Sequence, residues 1–264
     1  MASFGGPLLV TVFVWWFFTG AILFLDGLPR RTFKWSILVA TVLTAGAFAA
    51  LVASAHDTSV LGAYVAFVSA ILVWGWNEVA FLLGGMTGSR RTACPPDAAG
   101  LRRFILAAQT LSYHEALILA SFALVAIVTW NAPNTIALWT FAILWIMRIS
   151  AKLNIFLGVR NITHEFLPPH LTYLKSYFRI RPMNALLPFS VCLGSLAATM
   201  LALRSVEASP AGFEAAGLAL LATLTGLAVL EHIFMILPLP FGQLWSWAMR
   251  GRERALPCRE RIDG

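Results

Sequence analysis

The side chains able to do chemistry in this chain sit where they are costly to keep. Glu78, the adjacent pairs His114-Glu115 and Glu231-His232, and Arg148 with Lys152 all fall inside long apolar stretches. His164, Glu165 and His170 follow in a loop after the stretch that holds Arg148 and Lys152. An ionisable group at membrane depth is a functional hypothesis by default, because only a partner or a working site offsets its desolvation. Three chemistries fit the set. The carboxylates Glu78, Glu115 and Glu231 could pair with Arg148 and Lys152, one helical turn apart on one face, in an ion-pair network. The residues Glu78, His114, Glu115, Glu165, His170, Glu231 and His232 could instead ligate metal, as carboxylate-bridged di-iron centres in helical bundles do. Against that, the Glu-x-x-His spacing is missing, and adjacent His-Glu pairs point about 100° apart on a helix. Finally, His114 or His232 could be the axial ligand of a haem or a pigment.

Elements that could position these groups follow from composition. The chain has 264 residues, 59% hydrophobic and 12% charged, where a soluble domain carries about 25% charge. A soluble globular protein, a disordered chain and a secreted disulfide scaffold are excluded. Three cysteines without Cys-x-x-Cys spacing give no zinc signature. Apolar runs long enough to cross a bilayer as helices lie at 7–25, 33–54, 60–83, 104–130, 135–158, 184–203 and 212–236. Their unbroken hydrophobicity excludes a β-barrel, whose strands alternate. The fold class expected is therefore all-α: a polytopic integral membrane protein of about seven transmembrane helices.

All but Arg204 of the 19 basic residues fall in alternate loops or beside them. The positive-inside rule then puts the N-terminus outside, in the periplasm, and the C-terminus in the cytoplasm. The formal charge of +7 belongs to those loops and needs no nucleic acid. Residues 1–250 make one transmembrane domain and 251–264 a basic tail. Within the longest loop, Leu171, Leu174 and Phe178 share a helical face, so 170–178 is expected as an amphipathic surface helix. Trp245 and Trp247 are expected as interfacial anchors; the mid-span cluster Trp15-Trp16-Phe17-Phe18 could face a flat pigment, and is expected more readily as packing against lipid or another helix. His114 and Glu115 lie about 16 Å into the fourth span if it is one straight helix. No Gly-x-Ser-x-Gly, P-loop or Gly-x-Gly-x-x-Gly is present. A transporter reading lacks repeat symmetry and paired broken spans.

Five segments carry a further signal: Leu25–Phe33, Arg90–Pro96, Arg148–Gly158, Glu165–Phe178 and Arg181–Asn184. Over about 8–250 the chain resembles the photosynthetic complex assembly protein 2 family of purple bacteria, encoded beside the reaction-centre H subunit. That resemblance implies a multi-pass protein of the cytoplasmic or intracytoplasmic photosynthetic membrane. It also implies effects on reaction-centre and light-harvesting assembly and on bacteriochlorophyll levels. Partners would be reaction-centre or light-harvesting subunits and pigment. It supplies no catalytic residues. The function expected is an assembly factor that binds a nascent subunit or a pigment, with bacteriochlorophyll or a precursor as the cofactor. The alternative is a di-iron membrane oxidoreductase acting on a lipid-soluble tetrapyrrole or isoprenoid.

Overall fold

The computed structural model describes residues 2–162, 166–209, 212–237 and 241–249. His164, Glu165 and the basic tail lie outside the described residues. The described chain is helical, with no strand beyond a single parallel bridge between Val159 and Ile180. The helices are α1 (Ala2–Asp26), α2 (Phe33–Ser54), α3 (Val60–Leu82), α4 (Gly100–Gln109), α5 (Ser112–Val128), α6 (Ile136–Leu157), α7 (Leu186–Glu207) and α8 (Phe213–Phe234). Six are long and apolar enough to cross a membrane; the count is seven where the bent pair α4–α5 is taken as one broken span. The expectation of a polytopic helical membrane protein is met.

Two helices form the centre. α3 packs against α1, α2, α5, α6 and α8, and α8 packs against α1, α3, α6 and α7. Their apolar windows are 67% and 56% buried, against 17% for α2 and 11% for α7. The central pair is rich in small buried residues: Ala63, Ala66 and Ala70 on α3, and Ala215, Ala216, Ala219 and Ala222 on α8. In lipid the hydrophobic effect does not drive helices together, so association depends on close van der Waals packing, which small side chains permit. α2 and α7 instead carry exposed Leu, Val and Phe side chains suited to lipid.

The two ends of the bundle are built differently. One end has short turns, and Asn134 holds it together. Its side-chain amide donates to the carbonyls of Ser54 (3.0 Å), Asp57 (3.2 Å) and Gly62 (3.0 Å), and its oxygen accepts from Ile136 N. The other end carries the long loops. There the Pro169–Tyr177 segment is a 3-10 helix. With three residues per turn, Leu171, Leu174 and Tyr177 align on its buried face. Tyr177 thus takes the place expected for Phe178 on an α-helix. The face packs on Phe81 of α3.

The fourth span departs most from expectation. Residues 104–130 are not one helix: α4 and α5 meet at 63°. The loop 87–90 takes up the backbone groups freed by the break. Gln109 O accepts from Arg90 N (3.3 Å) and Ser89 Oγ (3.4 Å), while His114 N donates to Thr87 O (2.9 Å). Gly88 makes this approach possible, since a Cβ there would overlap the Gln109 and Thr110 carbonyls. Arg103 then fixes α4 to the roof, donating to Phe156 O (3.4 Å) and Tyr177 O, with its guanidinium 4.3 Å from the Phe156 ring centroid. His114 and Glu115 consequently sit in the first turn of α5, so a depth counted along a straight helix from residue 104 does not apply.

Candidate functional site

Toward the loop end the central helices give way to a cavity of about 420 Å³. α1 contributes Trp15 and Phe18, α3 Trp74 and Phe81, and α6 Leu144 and Phe156 to walls that are largely aromatic and aliphatic. Phe166 and Phe178 from the 159–183 loop also line it. A polar band crosses these walls, made by Glu78, Arg148, Lys152 and Glu231. The size and the few convergent polar groups are those of a small-molecule site.

The band is an ordered set of pairs. Arg148 Nη2 donates to Glu78 Oε2 at 2.9 Å. Lys152 Nζ donates to Glu115 Oε1 at 2.6 Å, and Trp145 Nε1 donates to Glu115 Oε2 at 3.4 Å. Arg148 and Lys152 lie one turn apart on the same face of α6; the first reaches Glu78 on α3 and the second Glu115 on α5. Glu231 differs. Its Oε1 accepts from Trp15 Nε1 at 2.6 Å, and no Lys or Arg forms an ion pair with it among the described residues. Two cations thus face three carboxylates. Arg148 keeps 43% of its side chain accessible, on the cavity side.

The histidines stand apart from the cavity lining. His114 is fully buried, with the Phe81 ring 4.6 Å away, centroid to centroid. Its Nε2 is 4.0 Å from Glu78 Oε1, and neither atom has a hydrogen-bond partner. His232 is tied on both sides. Its Nδ1 donates to Ala228 O (2.8 Å), because a carbonyl can only accept; its Nε2 meets Ser150 Oγ at 2.9 Å. Ser150 in turn bonds Ser190 on α7 at 2.9 Å, so His232 joins α6, α7 and α8. His170 Nε2 donates to Leu82 O at 2.8 Å.

Glu165 of the di-iron set lies outside the described residues, and the described members are not gathered as a ligand cluster. Among the described residues, no three His, Cys, Asp or Glu side chains come together as metal ligands. Glu78 and Glu115 are held by the chain's own cations, and His232 and His170 spend Nε2 on protein. Axial ligation of a pigment by His232 meets the same obstacle. For His114, Phe81 covers the ring.

Asn77, Asn154 and Asn184 were not singled out by the sequence, yet they complete the site, and Trp15 of the aromatic cluster lines the cavity. Asn77 accepts from Ser121 Oγ (3.2 Å) beneath Glu78, and Asn184 donates to the carbonyls of Asn154 (3.2 Å) and Gly158 (3.0 Å) to close α6. Trp16 Nε1 donates to Leu244 O and Trp245 Nε1 to Trp16 O, so the segment after α8 folds back on α1. Trp245 is therefore 6% exposed and packed, not a free interfacial anchor. Uncharged amides and indoles inside apolar runs were the available signal.

Fold and cavity define a polytopic helical membrane protein with a polar-banded cavity at its loop end. The chain belongs to the family described as "Protein of unknown function (DUF3623)", which matches residues 1–256. It is 44% identical over 249 residues to a Rhodobacter capsulatus protein described as "Uncharacterized 30.4 kDa protein in puhA 5'region", covering 93% of this chain and 90% of that one. No solved structure matches it.

Proposed function

We propose that the protein is a membrane assembly factor for the bacterial photosynthetic reaction-centre and light-harvesting apparatus, and that it works by holding a lipid-soluble pigment or pigment precursor. The observation that carries the reading is the cavity: aromatic walls for a flat apolar body, and a band of Arg148, Lys152 and Glu231 for its polar substituents. The location of the Rhodobacter capsulatus relative in the puhA 5' region supports a photosynthetic role. The cavity's size favours a small molecule over a nascent subunit, since a transmembrane helix is about 10 Å across with its side chains. A pigment held here is gripped by ring stacking and hydrogen bonds and not by a histidine. In the bilayer the basic loop end faces the cytoplasm, in the cytoplasmic or intracytoplasmic membrane.

The test is to purify the protein from photosynthetically grown cells in mild detergent and record its visible absorption. Bound tetrapyrrole in the native protein, lost when Gly75→Phe fills the cavity, supports the reading. Folded but colourless protein, together with normal pigment and complex levels in a separate strain that lacks the gene, overturns it. Iron near two atoms per chain would instead revive the oxidoreductase.

A further inference from the structure

A second pocket, of about 290 Å³, lies at the loop end beside α2, apart from the pigment cavity. Arg30, from the turn before α2, and Arg91, from the loop after α3, both line it. Neither guanidinium has a hydrogen bond or ion pair to another described residue. Thr87 lines the same pocket; it is 1% exposed and its hydroxyl has no partner. The Tyr173 hydroxyl, also in this wall, is buried without a partner. A buried hydroxyl left unpaired costs about 1–3 kcal/mol, so two such groups beside two uncommitted arginines need an occupant rich in acceptors. No Asp or Glu lines the pocket among the described residues.

The floor is shaped for close approach. Gly84 has φ +81°, and a Cβ there would meet the His170 ring at 2.9 Å. His170 is held by Leu82 O and packs edge-on against Phe33, 6.2 Å between centroids. The wall is therefore fixed before any ligand arrives.

We infer that this pocket binds a phosphate group through Arg30, Arg91 and Thr87. Guanidinium forks match phosphate oxygens bidentately, and a hydroxyl supplies a third donor. The position points to a phospholipid headgroup: Arg30 opens the α2 span, whose exposed Trp35 lies beneath Lys34 Nζ at 5.4 Å. Aromatic and basic side chains in that arrangement mark the headgroup level. A soluble phosphate would use the same donors.

The full-length protein, delipidated in dodecyl maltoside, is titrated with phosphatidylglycerol, with a galactosyl diacylglycerol of matched tails, and with inorganic phosphate. Retention is read by native mass spectrometry and stability by thermal unfolding. The variants are Arg30→Gln/Arg91→Gln and Thr87→Val, with Arg31→Gln/Lys175→Gln as a charge-matched control outside the pocket. The phospholipid should bind in preference to the galactolipid, and the arginine double variant should weaken it about tenfold or more, with the control unchanged. Stabilisation by inorganic phosphate alone, lost in the same variant, would keep the phosphate site and assign it to a soluble ligand. Equal binding of both lipids and no phosphate effect, or equal losses in variant and control, would overturn the proposal.

Discussion

Gly75 on α3 and Gly217 on α8 sit at opposite ends of the central pair. A Cβ on Gly75 would meet nothing within 4 Å, because the residue opens onto the cavity. A Cβ on Gly217 would overlap the Ile136 side chain. The short-turn half of the bundle is closed by alanines and by Asn134; the loop half is held apart by Trp15, Trp74, Phe81 and the Glu78–Arg148 pair. One pair of helices thus changes, along its length, from a packing interface to the walls of a vessel. Small residues serve both halves, and what they face decides whether they mean contact or space.

The comparison breaks first if the polar band does not hold the open half. Arg148→Gln would strand the buried Glu78 carboxylate and should cost about 3 kcal/mol in detergent unfolding. Glu78→Gln/Arg148→Gln together should recover most of it, and equal unfolding of the single variant and wild type would deny the pair this role. Next, Gly217→Leu should destabilise by about 1–3 kcal/mol through overpacking. Gly75→Ala sharpens the contrast with the opposite sign, a gain of about 0.5–1 kcal/mol from helix propensity in open space; thermal unfolding of both decides it. The smallest effect belongs to the closed end. Ser59 N–H donates to Asp57 (2.8 Å), which with the Ser59 side chain holds that carboxyl below its ordinary value of 3.8. A depressed carboxylate contributes stability above its unfolded value and loses it as pH falls through the folded one. Protection of the α2–α3 turn amides, taken relative to their intrinsic exchange at each pH, should therefore fall below about pH 4, and Asp57→Asn should remove that dependence.

Most spans were legible because length and hydropathy set them, and six of the seven expected segments coincide with single helices. The fourth did not, because its break is imposed from outside: Gly88 and Ser89 seat themselves against Gln109, and nothing within 104–130 announces it. The 170–178 segment showed its apolar residues but not its period, which Pro168 and Pro169 and the packing on Phe81 turn to three. In the site, the paired fates of Glu78 with Arg148 and Glu115 with Lys152 followed from the cost of buried charge. The isolation of His232 did not, since its partners Ser150 and Ala228 are residues no charge argument selects. Trp15 was legible as part of an aromatic cluster, but its hydrogen bond to Glu231 was not, since nothing in the spacing joins α1 to α8.

The bend between α4 and α5 also has a consequence for the surrounding lipid. At 17 residues, α5 alone reaches about 26 Å, short of a hydrocarbon core of about 30 Å. If α5 crosses without α4, the bilayer along that flank would dimple by a few ångströms or draw polar headgroups inward. A helix this short would then bias the protein toward thinner or more deformable patches of membrane, through length and not through any motif.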